Sequence, residues 1–257
     1  MSLQALIFDV DGTLADTERE GHLIAFNQAF QKHGLDWQWS DQMYQELLAV
    51  TGGKERMRHY VTTHRPDYQQ PDDFDELLAQ IHKDKNQLYK ALVQAGEVHL
   101  RPGVLRLFNE AKQKGIRLAI ATTTTMENVE ALFTYTLGAD SLNWFEVIGA
   151  GDIVPKKKPA GDIYFYVMEK MGLKPEQCIA IEDSHNGIRS SLEANLATLI
   201  TINDYTRSHD FSGAMAVVDS LGEPNQAAKL IVDGKADGNV LVDITWLQQQ
   251  LENYQQA

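Results

Sequence analysis

Leu6-Ile7-Phe8-Asp9-Val10-Asp11-Gly12-Thr13-Leu14 sets a short apolar run against two carboxylates and a glycine turn. A continuous apolar run of this length is the pattern of a strand buried on both faces, as in a parallel sheet. Asp9 and Asp11 then leave the strand at its C-terminal end, the edge where ligands bind in open parallel sheets. An Asp-x-Asp-Gly sequence also opens calcium loops. Here, however, Thr13 and Glu20 stand at the fifth and twelfth loop positions, and Gly12 precedes the place where such a loop turns.

The same strand pattern recurs at Leu118–Ala121, Val147-Ile148, Ile179–Ile181 and Ala197–Ile200. Helical periodicity falls between these runs, at Val104–Lys114, Met126–Leu137, Ile163–Met171 and Gly187–Ala194. Alternation of this kind predicts an α/β fold with a doubly wound parallel sheet. The block from Asp16 to Ala95 interrupts it with helix-like stretches alone: His22–His33, Asp41–Ala49, Glu55–His64 and Phe74–Val93. We expect residues 1–15 and 96–257 to form the core, and 16–95 to form an inserted α-helical cap over the end of the first strand. Linkers near Ala15 and Gly96 would let that cap move. A last strand and helix are expected between Val240-Leu241-Val242 and Leu251.

Composition narrows the partners. The chain of 257 residues is 43% hydrophobic and 23% charged, with a formal net charge of −13. That charge gives no bulk attraction to nucleic acid or an anionic membrane, but leaves small phosphate esters open to a local cluster of cations. The N-terminal residues show no signal-like pattern and the apolar runs are too short to span a bilayer. Cys178, the only cysteine, lies in an apolar run and reads as a buried structural thiol. The expectation is a cytoplasmic protein, with a monomer favoured.

Three further places gather chemistry. Thr122-Thr123-Thr124-Thr125 closes a strand and precedes a helix, where hydroxyls and backbone N–H groups hold phosphate oxygens or simply cap the helix. Lys156-Lys157-Lys158-Pro159 reads either as a solvated patch or as a turn that points one lysine inward. Glu182-Asp183 ends another strand, repeating the theme of Asp9 and Asp11, or else caps the helix that follows. Taken together, these are the parts needed for phosphoryl transfer to a carboxylate. Clustered carboxylates repel and some would be forced to protonate. A hard divalent ion with oxygen ligands, here Mg²⁺, resolves that repulsion.

These motifs, in this order and with a helical insertion after the first, resemble the haloacid dehalogenase superfamily. The insertion is similar to the branch with a helical cap that includes phosphoglycolate phosphatase and β-phosphoglucomutase. Asp16-Thr17-Glu18 through His22, Thr51-Gly52-Gly53-Lys54-Glu55-Arg56, and Ala150-Gly151-Asp152 resemble the CbbY-like proteins. The resemblance implies a phosphatase of small phosphorylated sugars, with xylulose-1,5-bisphosphate leading. It implies Asp9 as nucleophile and metal ligand, and Asp11 as general acid then base, its carbonyl on the metal. Thr122 and Lys158 would hold the phosphoryl oxygens, with Thr123 beside them; Asp183 would complete the metal site, with Glu182 bound directly or through water. In the cap, Glu18 and His22 share one helix face and would meet sugar hydroxyls, or form a surface pair. Gly52 and Gly53 would let backbone approach the substrate, Lys54 and Arg56 would hold a distal phosphate, and Tyr44 is implied by resemblance alone.

Gly161 departs from the proline that relatives often carry there, and touches no implied ligand. Within the family a sugar phosphomutase is the nearest alternative, decided by how the cap excludes water. A dehalogenase would need neither Asp11 nor Glu182-Asp183. A signalling receiver domain also uses an acid cluster, Thr, Lys and Mg²⁺, but is about half as long, and its acceptor aspartate ends a later strand.

Overall fold

The computed structural model describes residues 2–256. β1 (Ala5–Phe8) buries all four of its side chains. A π-helical turn at Glu18–His22 follows and runs directly into α1 (Leu23–Lys32), after which come α2 (Asp41–Leu47), α3 (Gly53–His64) and α4 (Phe74–Gln94). The alternating part consists of α5 (Val104–Gln113), β2 (Arg117–Ala121), α6 (Met126–Thr136), β3 (Phe145–Gly149), α7 (Asp162–Met171), β4 (Cys178–Glu182), α8 (His185–Glu193) and β5 (Ala197–Thr201). β6 (Ala216–Val218), β7 (Ala228–Val232), β8 (Lys235–Val240) and α9 (Ile244–Gln256) complete the chain.

The strands form one sheet in the order β3-β2-β1-β4-β5-β6-β7-β8. Pairings from β3 through β6 are parallel, and β7 and β8 add an antiparallel hairpin at the edge. Strand alternation divides β1 between two layers. Leu6 and Phe8 pack with Val104, Leu107 and Phe108 of α5, while Ala5 and Ile7 pack with Ile163, Tyr164 and Val167 of α7. Burying a side chain the size of Phe8 contributes about 1.5–3 kcal/mol, so both helical layers are held through one strand. α5 shows why: Val104, Leu107, Phe108 and Ala111 are buried at helical spacing and form one apolar stripe.

The helices α1–α4 have an apolar cluster of their own, built on Phe26, Phe30, Trp37, Trp39, Tyr44, Met57, Tyr60 and Ile81. The two chain passages joining them to the sheet lie side by side, with Ala15 paired antiparallel to Leu100. Among the described residues, no helix is long and apolar enough to cross a membrane.

The tail differs from expectation. Val240 is the last residue of β8, and Leu241 and Val242 lead on to α9 rather than forming a strand. The strands β6, β7 and β8 went unread: β6 is only three residues long, and Lys229 interrupts β7. Lys235–Val240 is exposed over most of its length and carries Lys, Asp, Gly and Asn.

Candidate active site

Sheet register assembles the site. Phe8 lies level with Ile120 of β2 and Ile181 of β4. The next residues out of those strands are therefore Asp9, Ala121 with Thr122, and Glu182 with Asp183, all at one edge. Asp9, Thr122, Glu182 and Asp183 are all buried.

Lys158 ties them together. Its Nζ donates to Asp9 Oδ1 at 2.7 Å, to Glu182 Oε1 at 2.6 Å and to the Ala121 carbonyl at 2.8 Å. It does not stand at a strand end, as its neighbours do. It reaches back from a turn well past the end of β3, where its peptide bond to Pro159 is cis. Burial works to lower the Lys158 ammonium, but the Asp9 and Glu182 carboxylates outweigh it and hold the group above the usual lysine range. Tyr164 of α7, which sequence reasoning missed, donates its hydroxyl to Glu182 Oε1 at 2.5 Å. Nothing in the α7 sequence marks it apart from other buried aromatics.

Asp9, Glu182 and Asp183 each present a carboxylate oxygen within 4.8 Å of the others. Burial pushes the Asp9 carboxyl up to about 8, opposed by Lys158 and assisted by Glu182. Burial, with the Asp9 and Glu182 charges added, likewise carries Asp183 well above the usual carboxylate range. Glu182 Oε2 is buried and has no hydrogen-bond partner among the described residues. Three buried carboxylates and an orphaned oxygen are what a divalent cation with oxygen ligands would satisfy, so the residues fit such an ion. Two glycines permit this crowding. A Cβ on Gly12, whose φ is +80°, would stand 2.5 Å from Asp183 Oδ2, and one on Gly187 would stand 1.9 Å from Glu182 Oε2.

Asp11 turns its carboxylate elsewhere. Oδ1 accepts from Thr17 Oγ1 at 2.6 Å and lies 3.1 Å from His22 Nε2, whose Nδ1 is 2.9 Å from Lys85 Nζ. Burial works to raise this carboxyl, but the charge and hydrogen bond of His22 bring it below the usual range. Burial also brings the Lys85 ammonium down to about 8. Lys85 was missed as well, although a signal existed: it interrupts the apolar stripe of Leu78, Ile81 and Tyr89 on α4.

Two adjoining cavities separate the helical cluster from the sheet edge. The larger, about 350 Å³, is lined by Asp9, Asp11, Thr122, Thr123, Lys158 and Asp183 below, and by Glu18, Gly52 and Arg56 above. The smaller, about 190 Å³, has Gly53, Lys54, His82 and Lys85 on the helical side, with Thr123–Thr125 and Lys157 opposite. Glu18 and His22 belong to a π-helical turn rather than an α-helix. Glu18 faces the larger cavity, while the His22 ring is committed to Asp11 and Lys85. Tyr44 is fully buried behind the wall, donating to Glu18 Oε2 at 2.5 Å and accepting from Arg56 at 2.9 Å. His82 is an addition the sequence did not suggest. Chemically, the floor offers a carboxylate beside an ammonium and a second carboxylate held by an imidazole. The helical wall offers the cations Lys54 and Arg56, and Lys157 stands opposite them.

A model of the haloacid dehalogenase-like hydrolases matches residues 3–195. Protein CbbY of Rhodobacter capsulatus is 49% identical over 214 residues, covering 83% of this chain and 92% of that protein. The crystal structure of CbbY from Rhodobacter sphaeroides in complex with phosphate is 44% identical with a TM-score of 0.78, covering 85% of this chain and 94% of that one. A mutant of the same protein, crystallised in complex with xylulose-(1,5)bisphosphate, is 43% identical, with the same TM-score and coverage. Similarity of this depth, running through the strands that carry the acids and through the helices above them, means that the chain belongs to the haloacid dehalogenase-like hydrolases and, within them, to the CbbY-like branch.

Proposed function

We propose that the chain is a magnesium-dependent phosphatase of small phosphorylated sugars, with xylulose-1,5-bisphosphate as the leading substrate. The observation that carries this reading is Asp9 on the cavity floor, 2.7 Å from the Lys158 ammonium and grouped with Glu182 and Asp183. Residues 1–15 and 96–257 act as the catalytic core, and residues 16–95 as the cap.

In the first half-reaction an Asp9 oxygen attacks phosphorus and the bond from phosphorus to the sugar oxygen breaks, leaving a phosphorylated Asp9. Thr122 and Lys158 hold the phosphoryl oxygens, and Lys158 offsets the repulsion between the two anions. Asp11 delivers a proton to the departing sugar oxygen. In the second half it removes a proton from water, which attacks phosphorus and frees Asp9 and inorganic phosphate. His22, backed by Lys85, keeps Asp11 oriented. Asp9, Asp183 and the Asp11 carbonyl would hold magnesium, with Glu182 offering its free oxygen directly or through water. When bound, the ion neutralises the carboxylates and polarises the phosphoryl group.

Glu18 and Gly52 meet the sugar, with Tyr44 and His22 fixing the wall behind them. Gly53, Lys54 and Arg56 address the second phosphate, and Thr123 lines the passage between the cavities. The solved relative in complex with xylulose-(1,5)bisphosphate supports this choice of substrate.

The test is phosphate release with Mg²⁺ from xylulose-1,5-bisphosphate, ribulose-1,5-bisphosphate, phosphoglycolate and β-glucose-1-phosphate. Strong preference for the first supports both the chemistry and the cap reading. Broad, weak hydrolysis keeps the Asp9 chemistry and discards this substrate. Release from none of them moves the reading to a sugar phosphomutase or to a substrate outside this panel.

A further inference from the structure

We propose that Asn203 is a positioning residue for Asp183, and that Tyr205, on the same loop, makes this positioning depend on the seat of the cap. The inference rests on the reading of Asp183 as an ion ligand.

Asn203 follows β5 and is fixed at every polar atom. Its Nδ2 donates to Asp183 Oδ2 at 2.7 Å and to the Gly12 carbonyl at 3.2 Å. Its Oδ1 accepts from the Tyr205 backbone N–H at 2.9 Å, and its own N–H donates to Thr206 Oγ1 at 3.0 Å. One amide therefore orients the acid at the end of β4 and the loop that carries Asp9 and Asp11.

Tyr205 belongs, by its packing, to the other side. Although it is part of the sheet-edge loop, its buried ring joins the apolar cluster of α1–α4, 6.0 Å from the Tyr44 ring. Its hydroxyl donates to Asp41 Oδ1 at 2.6 Å, and its carbonyl accepts from Gln45 Nε2 at 2.9 Å, both on α2. The Arg19 guanidinium lies over its ring at 5.3 Å. A cap that lifts must drag Tyr205 or break these contacts, and the Asn203–Tyr205 bond passes that displacement to the amide on Asp183. With the cap seated, Asp183 is held in one orientation; with it raised, the carboxylate is free to turn. The ion is thus gripped best when water is excluded. By reciprocity, ion binding must favour the seated cap.

The test uses the full chain and Mn²⁺ as the probe, with calorimetric titration and amide hydrogen exchange. Asn203→Ala is expected to weaken Mn²⁺ binding about ten-fold or more, the usual scale for losing a hydrogen bond to a ligating carboxylate. Tyr205→Phe keeps the ring and is expected to weaken it about three-fold through one lost hydrogen bond. In the wild-type chain, Mn²⁺ should slow exchange in α2, and in the Asn203→Ala variant it should not. Wild-type affinity in Asn203→Ala would remove Asn203 as a positioning residue. Exchange in wild-type α2 that ignores Mn²⁺ would remove the coupling, and that arm needs no variant to fold. Both readouts are of ion binding, so they succeed or fail independently of whether phosphate is released.

Discussion

Replacing Lys158 by Met keeps the side chain's bulk and removes its charge, taking one donor from each of three acceptors: Asp9 Oδ1, Glu182 Oε1 and the Ala121 carbonyl. The Lys158 and Glu182 side chains are only 5% and 1% exposed, so water does not replace what is lost. Breaking a buried ion pair from one side costs about 3–5 kcal/mol, because the remaining charge stays buried. Tyr164 still donates to Glu182, which favours the lower end of that range. For a chain of this size, urea unfolding followed by circular dichroism should show the midpoint falling by about 1 M or more. Adding Glu182→Gln to the Lys158→Met protein removes the stranded charge and should return about 2 kcal/mol, so the two changes are far from additive. A Lys158→Met penalty below about 1 kcal/mol, or strict additivity in the four-protein cycle, would refute the buried charge network as described.

Asp9→Asn should lower turnover by about a thousand-fold or more while leaving the circular dichroism spectrum unchanged; substantial residual turnover would remove Asp9 as the nucleophile. Lys54→Ala should raise KM for a bisphosphate about ten-fold and leave KM for a monophosphate nearly unchanged. An equal rise for both would show that Lys54 does not read the second phosphate. In the ion-free protein, burial pushes Asp9 up to about 8 although Lys158 opposes it, from an unfolded value near 4. A folded-state value above the unfolded one gives stability that is complete below about pH 4 and lost as pH rises through about 8. The thermal midpoint of the ion-free chain should therefore fall across that window, and Mg²⁺ should flatten the fall. A midpoint at pH 8 indifferent to Mg²⁺ would argue against the ion site.

The buried parallel strands were legible because they have no polar face, so Ala5–Phe8 and Cys178–Glu182 stand out as apolar runs ending in acids. The helices were legible by periodicity, to within a few residues at their ends. The edge hairpin was not, since an exposed strand needs no apolar signature and takes its shape from its neighbour. Among the site residues, those leaving strand ends could be placed by topology alone. Lys158 could be named but not located, because a turn of the chain rather than a strand delivers it. Tyr164, His82 and Asn203 were invisible for a different reason. Each acquires its meaning from a partner far away in sequence, and a lone tyrosine on a helix carries no mark of that partner, whereas Lys85 at least interrupts an apolar stripe.

The place of β1 in the sheet also sets an order of events during synthesis. The strand that carries Asp9 is made before both of its neighbours, β2 and β4, which begin only at Arg117 and Cys178. Residues 16–95, which carry all of their aromatic cluster but Tyr205, leave the ribosome while β1 still has no strand to pair with. This apolar strand gains its first neighbour only with Arg117–Ala121 and its second with Cys178–Glu182, so the nascent chain depends on protection of that segment in the meantime. Truncations ending before Arg117 should consequently leave this apolar strand with neither neighbour, and those ending before Cys178 should leave one of its edges open and aggregation-prone.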